Sequence, residues 1–265
     1  MTSWLFPRDL RYLQGLGAGL LAVGLAAVFL AGCSTPPPPP NGNAGAATGL
    51  TPQAAPAAEV SVKPGINESY LKPQQNLDEW VERFERESRE IYARREAIEN
   101  AVGVKAGMTV GDIGTGTGLF IPSFARAAGP KGMVYAVDIV PDFLAFVEKR
   151  NREAGRNNVV TVLCTERSVE LPEKSIDLAF ICDVYHHFEY PQISLASIHR
   201  ALRPNGDLVI IDFIRIEGVS SEWTLNHVRA GEEVVTREIE AAGFRKVASY
   251  RILKDNYMLR FRKGN

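Results

Sequence analysis

The chain has 265 residues, with 30 Lys and Arg against 31 Asp and Glu and a formal net charge of −1. That balance leaves no basic footprint for nucleic acid. Three cysteines and four histidines are sparse, and their spacing matches no zinc motif.

At the N-terminus, Arg8 and Arg11 precede an uncharged apolar stretch, Tyr12 to Gly32, which ends in Leu30-Ala31-Gly32-Cys33. A basic region, an apolar region and small residues at a cleavage point make a secretory signal over 1–32. The Leu-Ala-Gly-Cys end resembles a bacterial lipobox. That resemblance implies a lipidated Cys33, a membrane anchor and an extracytoplasmic, periplasmic-face protein. An uncleaved single span of the same stretch is the alternative; both put the arginines in the cytoplasm. Residues 33–65 begin with Pro36–Pro40 and continue in Ala, Gly, Asn, Thr and Pro. They read as a disordered tether with nothing to bury.

The remaining 66–265 are enough for one large α/β domain. It opens with a helix expected over 76–101. Leu77, Trp80, Val81, Phe84, Ile91, Tyr92 and Ile98 form an apolar stripe. Glu82–Arg86, Glu85–Arg89 and Glu90–Arg94 fall at i,i+4 on the solvated face. Tyr92 and Arg95 are within reach of a ligand if this helix covers a binding site; packing and solvation are the simpler roles.

An apolar strand, Met108 to Ile113, then enters Gly114-Thr115-Gly116-Thr117-Gly118, and a helical pattern follows from Leu119 to Ala128. Strand, glycine turn and helix N-terminus together can hold a charged cofactor, because glycine lets the backbone approach and N–H groups face the ligand. A second strand, Met133 to Ile139, carries Asp138 at its tip. A carboxylate there can accept from both hydroxyls of a ribose, or can cap the helix expected over Pro141–Gly155.

With Asp112 two residues before the first glycine, this run resembles motif I of class I S-adenosylmethionine-dependent methyltransferases. Further motifs follow in that family's order. Cys164-Thr165-Glu166-Arg167-Ser168-Val169-Glu170-Leu171-Pro172 stands where the family has Gly-Asp-Ala-x-x-Leu-Pro, with Glu166 as the best match for the adenine-binding acid. The strand Ile176–Cys182 ends in Asp183-Val184-Tyr185-His186-His187-Phe188, which resembles motif IV. Arg203-Pro204-Asn205-Gly206-Asp207, before Leu208–Phe213, resembles the family's turn into strand five, with Asn205 supplying a left-handed backbone.

The resemblance implies a Rossmann-like, seven-stranded, mostly parallel sheet of order 3-2-1-4-5-7-6, with helices on both faces. In that order Cys164 and Cys182 end strands three spacings apart, too far for a disulfide. It implies S-adenosyl-L-methionine bound by Asp112, Gly114, Thr115, Gly116, Gly118, Asp138, Ile139, Glu166 and Asp183, and methyl transfer to a small organic acceptor. The catalytic candidates are Tyr185, His186 and His187: either histidine can serve as a general base, or simply pack. His199 is read as structural. No metal is assigned. Asp183, His187, Asp212 and His227 are a weaker divalent-metal alternative that no spacing demands. Trp223, Phe188, Tyr185 and Tyr190 suggest an aromatic acceptor pocket built from the N-terminal helix and residues 212–232. The oligomeric state is not legible. An exported protein does not readily meet a cofactor made in the cytoplasm, so the alternative function is a non-catalytic, ligand-binding lipoprotein on a methyltransferase scaffold.

Overall fold

The computed structural model describes residues 59–73 and 76–264. The expected signal peptide, Cys33 and the expected tether as far as residue 58 lie outside the described residues. Among those described, no helix is long and apolar enough to cross a membrane.

Four short helices come first: α1 (Glu68–Leu71), α2 (Leu77–Phe84), α3 (Glu90–Ala93) and α4 (Arg95–Val102). Then β1 (Thr109–Ile113), α5 (Ile121–Ala128), β2 (Met133–Asp138), α6 (Pro141–Glu153) and β3 (Val159–Leu163) form the first half of a sheet. The second half is β4 (Ile176–Cys182), α7 (Pro191–Ala201), β5 (Leu202–Phe213), α8 (Glu222–His227), α9 (Glu232–Ala241), β6 (Phe244–Tyr250) and β7 (Asn256–Lys263). The strand order is β3-β2-β1-β4-β5-β7-β6, as the resemblance implies. All pairings are parallel except those of β7 with β5 and β6.

The period of two along each strand sends alternate side chains to opposite faces. In β5, Leu208 and Ile210 join one buried cluster with Leu195, Ile198 and Ile239, while Val209 and Ile211 join another with Ile98, Phe120 and Phe124. Helices therefore cover both faces, and the central strands read as continuous apolar runs. Cys164 and Cys182 are free, on strand ends separated by β2 and β1. Asn205 takes φ +62°, the left-handed conformation expected of it.

Two expectations about the N-terminal part are corrected. The helix expected over 76–101 breaks at 85–89, because its charged residues are used elsewhere. Glu85 accepts from Arg150 Nη1 at 2.7 Å and from Thr117 Oγ1 at 2.8 Å; Arg89 pairs with Asp183; Glu90 accepts the backbone N–H groups of Lys254 and Asp255. Five long-range partners of these three residues outweigh i,i+4 pairs worth only about 0.2–0.5 kcal/mol each. Residues 59–65, expected within the tether, are bound to the domain instead. Glu59 accepts the N–H groups of Gln192 and Ile193, Ser61 Oγ donates to Glu189, and Lys63 Nζ reaches the carbonyl oxygens of Asn226 and His227.

Candidate functional site

The C-terminal ends of β1, β2 and β4 open onto one cavity, where a parallel α/β sheet places its ligands. Asp112, Gly114, Thr115 and Gly116 line it from β1 and its turn; Asp138 and Ile139 line it from β2. Glu166, Asp183 and His187 line it from the connections beyond β3 and β4. The cover comes from the N-terminal segment, with Asn67, Tyr70, Phe84 and Arg89. Tyr70, Trp80, Phe84 and Phe143 form a chain of ring contacts over this side, with centroids 5.3–6.4 Å apart. Asn67, Tyr70, Phe84 and Phe143 were not legible as site residues, because they lie outside every motif.

The turn after β1 does what its glycines allow. Gly114, Gly116 and Gly118 all have φ between +53° and +80°. Gly118, expected to touch cofactor, does not line the cavity. A Cβ there would lie 3.0 Å from Val147 Cγ2, so this glycine lets α6 pack close behind the loop.

Two carboxylates flank the glycine loop. Asp112 accepts from Thr115 Oγ1 at 2.7 Å. Asp138 accepts from the N–H groups of Gly116 and Val140, both at 2.9 Å. Each carboxylate oxygen can accept more than one bond, so Asp138 keeps capacity for a ligand hydroxyl. Burial lifts Asp112 to about 7 and Asp138 to about 6. Asp183 is lifted to about 6 by burial, although Arg89 pulls the other way. A site with three buried carboxylates and one guanidinium gains by taking up a cationic ligand.

Beyond β4, a 3-10 turn (Tyr185–His187) sends three successive side chains in different directions. Only His187 reaches the cavity. Its Nδ1 lies 3.2 Å from Asn67 Oδ1, and burial pushes the ring down to about 2, so it is neutral and a weak base. His186 is buried behind it, with Nδ1 2.7 Å from Asp212 Oδ1. Tyr185 is fully buried in the core and donates to Glu238 at 2.8 Å. Tyr185 and His186 are therefore corrected as candidates for touching substrate: the turn aims both away from the cavity.

The weaker metal alternative does not assemble as a set of four, although His187 and His227 do meet. Asp183 is held by Arg89 at 2.5 Å and by Asn256 at 2.6 Å, and Asp212 faces His186. Of the four expected pocket aromatics, Phe188 alone lines the cavity. Arg167 lies over Tyr190, and Trp223 stacks on His227 at 4.7 Å. Tyr92 and Arg95 stack on each other at 4.2 Å, away from the cavity.

Residues 111–210 match the methyltransferase domain family. The ubiquinone/menaquinone biosynthesis C-methyltransferase UbiE of Cupriavidus taiwanensis is 30% identical over 115 residues, 43% of this chain and 46% of that protein. The chain thus spans less than half the length of the curated relatives it matches. A SAM-dependent methyltransferase from Aquifex aeolicus shares the fold with a TM-score of 0.63 at 25% identity, over 71% of this chain and 99% of that one. The cyclase SpnF shares it with a TM-score of 0.55 at 17% identity, over 64% and 80%. The matched domain and the Aquifex neighbour indicate S-adenosylmethionine as the cofactor.

Proposed function

We propose that this chain binds S-adenosylmethionine in the cavity above β1 and β2 and transfers its methyl group to a small organic acceptor. The observation that carries this reading is a left-handed glycine loop flanked by two buried carboxylates, all facing one cavity. When bound, the cofactor supplies an electrophilic methyl group on a positively charged sulfur. Asp112 holds the amino end, Asp138 accepts from the ribose hydroxyls, and Ile139 and Glu166 take the adenine side. Asp183, clamped by Arg89 and Asn256, fixes the wall on the methyl side. Phe188, Tyr70 and His187 exclude water and orient the acceptor. With His187 neutral and weakly basic, the rate rests mainly on alignment, and it should not titrate through a histidine between pH 5 and 8.

Equilibrium binding of S-adenosylmethionine and S-adenosylhomocysteine to the full chain tests this. Saturable binding is expected, and it should tighten from pH 5 to 8. A cationic ligand favours ionised Asp112 and Asp138, which protonate at about 7 and 6 in the free protein. The same raised values make the contribution of these two carboxyl groups to stability fullest below their unfolded value of 3.8, and that contribution is lost as pH rises through 6 to 7. Ligand-induced thermal stabilisation should therefore grow with pH. Asp138→Ala should weaken binding about tenfold to a hundredfold, by analogy with hydrogen bonds to a charged group. No binding by the folded wild type, or unchanged affinity in Asp138→Ala, would reject the assignment.

The N-terminal sequence supports a second proposal, that the chain is a lipoprotein anchored through Cys33 on the outer side of a bacterial membrane. Expressed in a bacterium, the full chain should sediment with membranes and incorporate palmitate, and Cys33→Ser should lose the label. A wild type without label, or one retained whole in the cytoplasm, removes the anchor.

A further inference from the structure

Three histidines from two separate elements converge beside the cavity. His186 and His187 come from the 3-10 turn after β4, and His227 ends α8. One ring nitrogen of each lies within 4.8 Å of the others, and ring centroids are 4.3–5.2 Å apart. Tetrahedral nitrogen ligands at about 2.0–2.1 Å from one ion stand roughly 3.3 Å apart. Closing that gap takes side-chain rotation, which at His227 means sliding over the Trp223 ring stacked on it at 4.7 Å.

Two of these rings are held by their other nitrogen. His186 Nδ1 faces Asp212 Oδ1 at 2.7 Å, and His187 Nδ1 faces Asn67 Oδ1 at 3.2 Å. Asp212 is itself fixed by the backbone N–H groups of His186 at 2.9 Å and Phe213 at 2.8 Å. Asp212 and Asn67 are 1% and 5% exposed. In both rings Nδ1–H then donates to the oxygen behind it, which leaves the Nε2 lone pair to bind an ion. A carboxylate or amide oxygen behind a histidine is how metal-binding proteins fix ring orientation and tautomer.

We propose that His186, His187 and His227 bind one divalent transition ion of the zinc class, leaving a fourth position beside the cavity wall that His187 forms. Three imidazole nitrogens with no carboxylate in the ligand set suit zinc, copper or nickel and disfavour magnesium and calcium, which take oxygen ligands. The charge around the ion includes the Asp212 carboxylate and the Lys63 ammonium, the latter held by the carbonyl oxygens of Asn226 and His227. Three protein ligands with an open fourth position is the arrangement of reactive zinc sites. The site rests on these side chains and not on the methyl-transfer reading.

Full chain made without a histidine tag and stripped by chelator is titrated with Zn²⁺ against a chromogenic competitor, with Co²⁺ as a spectroscopic probe. One ion per chain is expected, and Co²⁺ should give the visible bands of a four-coordinate centre. His227→Ala should lower Zn²⁺ affinity by more than about 100-fold, and Asp212→Asn by about 10–100-fold. His227 is only half-buried, so His227→Ala keeps the test available if Asp212→Asn fails to fold. S-adenosylhomocysteine binding should survive in His227→Ala, which separates this site from the cofactor site. Folded wild type without stoichiometric Zn²⁺ binding overturns the proposal. So does equal affinity in wild type and His227→Ala, which would place the ion away from this histidine.

Discussion

Gly116→Val is expected to abolish cofactor binding in a protein that still folds, while Gly114→Ala is expected to damage the fold itself. The two glycines share a loop and a left-handed backbone, yet they meet different neighbours. A Cβ at Gly116 would lie 3.5 Å from Phe84 Cε2, an ordinary contact. The folded state then carries mainly the conformational penalty, about 1–2 kcal/mol for an L-residue at positive φ. The added branches enter the space between the loop and Phe84, both of which line the cavity, so affinity should fall by roughly 100-fold or more. A Cβ at Gly114 would overlap Val184 Cγ1 and lie 2.6 Å from Cγ2. Val184 is the residue before the histidine turn and cannot swing clear without moving it. Overpacking of about 1–3 kcal/mol adds to the φ penalty, so Gly114→Ala should lose several kcal/mol in chemical denaturation. Wild-type affinity in Gly116→Val would show that no ligand approaches the loop. Wild-type stability in Gly114→Ala would show that Val184 yields.

The parts of this molecule that sequence makes legible are those set by local rules. β1 and β4 are apolar runs, the turn after β1 is spaced by glycines, and Asn205 stands where a left-handed residue is required. The sheet order came from the resemblance. The cover of the cavity was not legible, because it depends on partners far along the chain. Glu85 and Arg89 stand four apart and look like a surface pair. In the fold they separate, Glu85 turning to Arg150 and Arg89 to Asp183, 94 residues away. The composition of 33–65 gives no sign that Glu59, Ser61 and Lys63 dock on the domain, since a few hydrogen bonds leave no periodic trace. Tyr185, His186 and His187 are consecutive, and no periodicity tells which one reaches the cavity. The 3-10 turn decides it, sending Tyr185 into the core and His186 onto Asp212. Gly118 looked equivalent to its neighbours because spacing records where a Cβ is absent, not whether a ligand or α6 needs the room.

Arg89→Ala is expected to show how much of the cover depends on one ion pair. Arg89 Nη2 lies 2.5 Å from Asp183 Oδ2, and Nη1 donates to the Phe84 carbonyl at 3.2 Å. The side chain thus ties the end of α2 to the end of β4. Asp183 is only 6% exposed, so removing its partner leaves a buried charge with Asn256 alone to satisfy it. Such losses cost about 3–5 kcal/mol. The lower end is expected, because Arg89 keeps a quarter of its side chain in solvent. The cost should depend on pH. Asp183 already protonates at about 6 in the fold against 3.8 normally, and without Arg89 its value moves higher still. Its contribution to stability is then complete below pH 4 and lost as pH rises through that higher folded value. Arg89→Ala should therefore be nearly tolerated at pH 5 and markedly destabilised at pH 8, relative to wild type. Adding Asp183→Asn should restore stability at pH 8, since Asn accepts the φ of +53° found here and carries no charge to strand. A deficit in Arg89→Ala that is the same at pH 5 and pH 8, or that Asp183→Asn does not relieve, would mean that Arg89 holds the cover through Phe84 and not through its ion pair.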